Sequence, residues 1–566
     1  MSKKAFSLVE MLVVLAIIGL ISAAASVSAT AFRQKSRDTQ RLADAKEVQA
    51  ALELYRLNEG SYPTSIDFGQ PFVGSSSTST VYVSHLPNNP VVTNTAVCDS
   101  NNYSYSLDEK NRYQLQFCLE RGDNGLAAGY YCARPSGLTP GNCSTILRAS
   151  LVGGAYNEYL FGIAADTTSV YAVGRSYSDE ALGDSFIAKL NKTDLSVTEK
   201  VYWGSTNNFE SLSAVTTDAS YLYAVGSTFS LSDNNDSILL VYDKTNLGAG
   251  PLRQISFSGS GGDHFFNIIQ DDQYLYAIGY STFNWYGGTD YDIILAKYRK
   301  SDFGLESQAY YQGWPYESPN SAIMSNGYIY TAGVSNREAA FIMKINPTTL
   351  AIVAQKKYDG GLGDDRFYGL TAAGSNIYAA GYTNSVGNGN YDGLIVKYDT
   401  DLNVVNAVTY GGTALDQFMS CTADASHLYA FGITQSESGN PDGLMTKFDL
   451  DLNLVASKYF TAEGSETLWA ATNSAGYNYI AGYTESAGAG SYDGLIIKNI
   501  ALPTGDYDTI PSGFQFKDNA NCSANIASLT ATDYEATTGS PNMTDGLTNF
   551  SSGISSASSS LYIINQ

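Results

Sequence analysis

The chain has 566 residues, with 55 Asp and Glu against 32 Lys and Arg, a formal net charge of −23. An acidic surplus of that size repels a phosphate backbone and excludes nucleic acid as a partner. Only 15% of the residues are charged while 43 are tyrosines, a composition that fits a protein exposed at a cell surface.

The first element is the most informative. After Lys3-Lys4-Ala5 the chain runs from Phe6 to Ala29, 24 residues in which Glu10 is the only charge. As an α-helix this stretch is about 36 Å long, enough to cross a hydrocarbon core of about 30 Å. It predicts a membrane-spanning helix over residues 6–30. A carboxylate near the end of such a span is costly, so it normally has a partner and a task. A secretory signal peptide is the plainer reading, and Ser26-Val27-Ser28 or Ala29-Thr30-Ala31 has the small-x-small pattern of its cleavage site. Glu10 fits that reading badly, as does the helical pattern that continues beyond it.

The arrangement Ala5-Phe6-Ser7-Leu8-Val9-Glu10, followed by an apolar helix, resembles the class III signal of type IV prepilins and type II secretion pseudopilins. The resemblance implies a leader of residues 1–5, cut by prepilin peptidase between Ala5 and Phe6. It also implies N-methylation of Phe6 and a subunit-assembly role for Glu10. Alone among lipid tails, the Glu10 carboxylate would be costly or would take up a proton. Reached by the newly freed Phe6 amine of a neighbouring subunit, it would make a charge-assisted hydrogen bond in a low dielectric and set the axial register. Two departures from the family stand out: Ala5 occupies the place of its usual Gly, and Val27 lies where its helix-kinking Pro is expected. The partners implied are other pilin subunits, pilus or secretion assembly machinery, prepilin peptidase and the inner membrane. The implied location is single-pass in the inner membrane, then the pilus or cell surface.

Past Phe32 the pattern stays helical but turns amphipathic. Leu42, Ala45, Val48, Leu52 and Tyr55 form one stripe, and Gly60 followed by Pro63 is a stop signal. One helix is therefore expected from about Phe6 to Glu59, its second half packed on a small head within residues 31–144. The stretch Asp38-Thr39-Gln40-Arg41-Leu42-Ala43-Asp44, with Gly60-Ser61-Tyr62-Pro63, is similar to the corresponding region of major pseudopilins. Further on, Tyr103–Leu107 and Tyr113–Phe117 alternate and read as a β-hairpin. Four cysteines cluster here, Cys98, Cys118, Cys132 and Cys143, and disulfides are expected in an exported head. Of three connectivities, Cys98–Cys118 with Cys132–Cys143 is expected, because it has the smallest summed separation in sequence. A zinc site is the rival, but the spacings of 20, 14 and 11 contain no C-x-x-C.

Residues 145–500 hold a repeat. Its core is an apolar-aromatic strand ending in Gly174, Gly226, Gly279, Gly333, Gly381, Gly432 and Gly482, at intervals of 52, 53, 54, 48, 51 and 50. An Asp-x-x-x-x-Lys element follows, as in Asp184/Lys189, Asp292/Lys297, Asp392/Lys397, Asp442/Lys447 and Asp493/Lys498. Seven units of this length, each with room for four strands, predict a seven-bladed β-propeller. The last unit lacks its final strand, and a spare copy, Leu147 to Gly154, precedes the first, so the N-terminal strand is expected to complete the last blade. The fullest unit, 359–412, resembles the bacterial β-propeller repeat family of secreted and surface proteins, which implies architecture but no single activity.

Catalytic signatures are sparse. His85, His264 and His427 are scattered, and there is no G-x-S-x-G, H-E-x-x-H, P-loop or strict calcium loop. The once-per-repeat Asp reads as structural, binding turn amides or the Lys five residues on. No cofactor is expected. The acidic loops 232–236 and 361–365 have oxygen ligands suited to calcium, but Asn, Asp and Gly are also ordinary turn residues. Loop aromatics Trp285-Tyr286, Tyr291 and Trp314-Pro315-Tyr316 could stack on sugar rings, making a surface glycan or host-cell ligand the partner for the propeller. Residues 501–566 are polar and read as a tail or a small strand-rich appendage.

The expected fold is multidomain: a long N-terminal α-helix with a small α+β pilin-like head, then an all-β seven-bladed propeller. The expected function is non-enzymatic, a minor or tip subunit of a type IV pilus-type filament displaying the propeller for adhesion. Two alternatives stand beside it: a type II secretion pseudopilin contacting exported cargo, and a surface propeller enzyme acting on polysaccharide.

Overall fold

A computed structural model of the chain describes most residues between 8 and 499, with side chains from Thr30 onward, and the backbone of four short strands between 515 and 539. It divides into two compact units, residues 1–146 with 503–509, and 147–502 with 510–566.

The first unit is built on one unbroken helix, Leu8–Glu59. Gly60 ends it in the left-handed region (φ 82°), and its N–H bonds the Arg56 carbonyl at 2.9 Å. A side chain would resist that conformation, which is why Gly sits just past the helix. Ala5, Phe6 and the Glu10 side chain lie outside the described residues. Among the described residues no helix is long and apolar enough to cross a membrane, and the apolar half, residues 8–29, has no described side chains.

Leu42, Ala45, Val48, Leu52 and Tyr55 are all buried, as the stripe predicts. They pack with Tyr113, Leu115, Phe117 and Tyr131 of an antiparallel sheet of four strands, Ser104–Leu107, Tyr113–Leu119, Gly129–Arg134 and Gly137–Pro140. The expected hairpin is its first half, with Leu107 opposite Tyr113. A disulfide joins Cys98 to Cys118. Cys132 is also disulfide-bonded, while Cys143 lies outside the described residues.

A buried ionic cluster fixes the helix to this sheet. Arg41 donates to Asp38 and Glu120 at 2.9 Å each, to Asn89 Oδ1 at 2.9 Å and to the Pro90 carbonyl at 2.9 Å. Asp38 in turn accepts the backbone N–H groups of Glu120, Arg121 and Gly122. Arg41 and Asp38 have no exposed surface, so removing one charge strands the others in a low dielectric. Arg41→Ala is expected to destabilise this unit by about 3–5 kcal/mol, read as a lower denaturation midpoint of the full chain's first unit. An unchanged midpoint would contradict the role.

In the second unit the repeat becomes a propeller-like array. Among the described residues, seven antiparallel sheets have four adjacent strands each, running in chain order in the first six. Their first strands are Glu158–Ala165, Glu210–Thr217, Asp263–Gln270, Ser318–Ser325, Asp365–Ala373, Asp416–Ala423 and Glu466–Ser474. The repeat glycines lie in the second strands. At each, an added Cβ would sit 1.8–1.9 Å from a carbonyl oxygen of the first strand, so only Gly admits that approach. Immediately past it, the register of every first strand shifts by a bulge.

Apolar clusters join consecutive sheets. One of them joins the last sheet to the first, bringing Tyr479, Ala481, Ile496 and Val152 against Leu160 and Phe186. Strand Arg148–Val152 pairs antiparallel with Asp493–Asn499, Val152 opposite Gly494. It supplies the outer strand that the last repeat lacks, as the spare copy predicts. The repeated lysines do not pair with the Asp five residues before them. Five strand residues span about 17 Å, and the ammonium groups instead reach the turn of the following sheet: Lys189 to the Lys244 carbonyl, Lys297 to Pro347 and Lys397 to the Asp451 carboxylate. Lys344, which has Ala339 in the Asp place, likewise reaches Thr400. Lys498 of the last sheet reaches the Lys192 carbonyl of the first, at 2.9 Å.

Segments of the polar C-terminal region extend the sheets. Gln515–Asp518, Ser523–Ile526, Ala531–Asp533 and Thr537–Gly539 each add a fifth strand, to the outer edges of the sixth, fifth, fourth and third sheets in turn. Backbone groups at those edges gain partners, and the outer edge passes to strands of three or four residues, which are poor templates for pairing.

Candidate functional site

The seven bulges have a common consequence. A bulge re-aims the extra residue, and Phe161, Ser213, Phe266, Asn320, Tyr368, Met419 and Trp469 all line one cavity of about 520 Å³. Every sheet thus contributes a residue from its first strand. The volume lies in the range of small-molecule pockets. Trp469 anchors the aromatic part, edge-on to Phe161 at 5.8 Å and to Tyr368 at 6.4 Å.

Arg175 is the cation of this cavity. It follows the first repeat glycine, Gly174, and projects beside four rings: Phe209 at 4.7 Å, Tyr177 at 5.1 Å, Tyr159 at 5.4 Å and Phe161 at 5.9 Å. These π-faces stabilise a guanidinium without neutralising it. Its Nε is buried without a hydrogen-bond acceptor, and no carboxylate among the described residues pairs with it. Arg366 differs, being held bidentate by Asp364 at 2.7 and 2.8 Å.

A second polar pair bridges two sheets in the same cavity. Ser213 Oγ lies 2.7 Å from His264 Nε2. Burial pulls the imidazole down to about 4, so it is neutral at neutral pH. A hydroxyl beside an imidazole is the start of a nucleophile relay, which also needs a group orienting the base. Among the described residues no carboxylate hydrogen-bonds to His264. The pair offers hydrogen-bonding capacity to a ligand.

The unfolded His264 imidazole takes up a proton near 6.5 and the folded one near 4, so this contribution to stability is complete above about pH 6.5 and is lost as pH falls to about 4. Comparing denaturant midpoints of the native chain and His264→Gln across that window should show a shallower acid loss in the variant. Parallel slopes would contradict it.

Of the aromatics singled out in the sequence, Tyr291 and Tyr316 meet, with ring centroids 5.2 Å apart, and Tyr291 also packs on Tyr280 at 4.8 Å. Trp285, Tyr286, Trp314 and Pro315 lie outside the described residues. In the acidic loops, 232–234 and 361–362 lie outside them too, Asp364 is engaged by Arg366, and Asp365 accepts the Thr383 and Ser385 hydroxyls. Among the described residues no group of three or more His, Cys, Asp or Glu is placed to hold a metal ion. Cys421 is a free, buried thiol that lines the cavity.

Sequence reasoning missed Arg175 and the bulge residues. A signal existed: the residue after each repeat glycine is Arg175, Ser227, Tyr280, Val334, Tyr382, Ile433 or Tyr483, and Arg175 is the one charge in that series.

Residues 1–26 match the prokaryotic N-terminal methylation motif. No curated protein matches the chain. Among solved structures, the WD40 domain of Neurospora crassa Pan2 is similar at 10% identity and a TM-score of 0.39, covering 62% of this chain and 91% of that one. Hydrazine synthase of Kuenenia stuttgartiensis is similar at 13% identity and a TM-score of 0.40, covering 58% of this chain and 94% of that one. The chain thus carries an N-terminal methylation motif ahead of a propeller-like array of seven sheets.

Proposed function

We propose that this chain is a non-enzymatic subunit of a type IV pilus-type filament, whose seven sheets close into a seven-bladed propeller displayed outside the cell for binding. The observation that carries the reading is the methylation motif at residues 1–26. Prepilin peptidase frees the Phe6 amine, Glu10 of a neighbouring subunit receives it, and residues 6–30 hold the subunit in the inner membrane until assembly. Residues 31–144 form the pilin-like head. Closure of the ring has three supports: the strand Arg148–Val152 on the last sheet, the apolar cluster between the last and first sheets, and the Lys498 contact. A propeller of roughly 355 residues is bulky beside one helix, which favours a minor or tip subunit. The binding function needs neither cofactor nor catalytic group, and the axial cavity supplies the ligand site.

A second reading has one observation in its favour. The stretch 38–63 is similar to major pseudopilins, where the head would contact exported cargo. Imaging of cells carrying a tagged propeller separates the two. Label along or at the tip of extracellular fibres is expected, whereas label confined to the envelope would replace the adhesion reading with the secretion one.

A further inference from the structure

We propose that the Arg175 end of the axial cavity is a subsite for an anionic sugar residue, one bearing a carboxylate or sulfate group. This deepens the binding reading and rests on it. Three observations converge. Arg175 lines the cavity beside four aromatic rings, the nearest 4.7 Å away. Its Nε is buried without an acceptor, and a desolvated N–H of a charged group is costly until an acceptor arrives. Its position breaks the repeat, since the six equivalent residues are all uncharged.

The chemistry follows from those groups. A guanidinium fork matches a two-oxygen anion in plane, which an ammonium does not. The rings keep the fork charged and limit its rotation, so little order is lost on binding. Phe161 and Trp469 present further aromatic surface for the apolar face of a pyranose ring. The Ser213–His264 pair supplies hydrogen-bonding capacity for ring hydroxyls, and Asn320, whose amide already donates to the Phe367 carbonyl and accepts from Ser318, keeps one further N–H. A free inorganic anion would use the fork but leave this aromatic surface empty. With the chain at −23 overall, an anion is held by local contact rather than by the long-range field.

The test uses the full processed chain in detergent, titrated calorimetrically with oligogalacturonate, a sulfated galactan oligosaccharide and a neutral galactan oligosaccharide. At least one of the two acidic sugars should bind and the neutral one should bind far more weakly. Arg175→Gln should weaken the acidic complex about thirtyfold or more, and Arg175→Lys should fold normally and recover only part of the affinity. Trp469→Ala should weaken it too, whereas it should leave binding of free sulfate or acetate unchanged. Equal binding of acidic and neutral sugars, unaltered affinity in Arg175→Gln, or no acidic binding at all would overturn the subsite. Those results leave filament assembly untouched, which is scored separately by incorporation of the tagged propeller into fibres.

Discussion

Val152→Asp should unlatch the second unit. Val152 has no exposed surface, pairs with Gly494 of the last sheet and packs with Leu160 of the first and Ile496 of the last. A carboxylate there has no partner in an apolar cluster, so it either remains costly or expels the strand. Expelling Arg148–Val152 exposes the ladder of the Asp493–Asn499 strand, an edge open to pairing with other chains. The loss should reach about 4 kcal/mol or more, a fall in melting temperature on the order of 5 °C, with concentration-dependent aggregation. Val152→Ala removes only methyl groups and should cost about 1–2 kcal/mol. Thermal unfolding of both variants at two protein concentrations checks the contrast. Equal behaviour would mean that the strand rests on the unit without closing it.

The second large effect concerns assembly. Glu10→Ala should reduce incorporation into filaments to near background while leaving the protein present in the membrane. A charge-assisted hydrogen bond is worth about 1.5–3 kcal/mol, or a tenfold to hundredfold change in the association constant of each contact. Glu10→Gln keeps the shape and an acceptor but not the charge, so an intermediate level is expected. Glu10→Lys should be as defective as Ala, because it faces the neighbour's amine with like charge. Quantitative blotting of sheared-filament and membrane fractions reads the series. Unaltered incorporation in all three would remove Glu10 from assembly.

Much of the architecture was written in local periodicity. The buried stripe from Leu42 to Tyr55 was legible because a helix repeats its face every three or four residues, and the sheets because each unit restates the same strand. The completing strand was legible as arithmetic: one copy too few at the end and one spare at the start. Three features were not legible, for different reasons. The Asp and Lys of the repeat look like partners at five residues, but a strand carries them to opposite ends, and the Lys meets a neighbour about fifty residues further on. The fifth strands at 515–539 pair through main-chain groups on existing edges, so polar sequence suffices and no apolar alternation marks them. Arg175 was overlooked because a search for repeats keeps what recurs and discards what deviates. At a binding site the deviation is the signal.

The most direct test of the account is the N-terminus of the mature protein, read by mass spectrometry on material isolated from sheared fibres or envelopes. The account predicts a chain that begins at Phe6 and carries a methyl group on its α-amine. A chain beginning at Met1 or Ser2, or after Ser28 or Ala31, would contradict it.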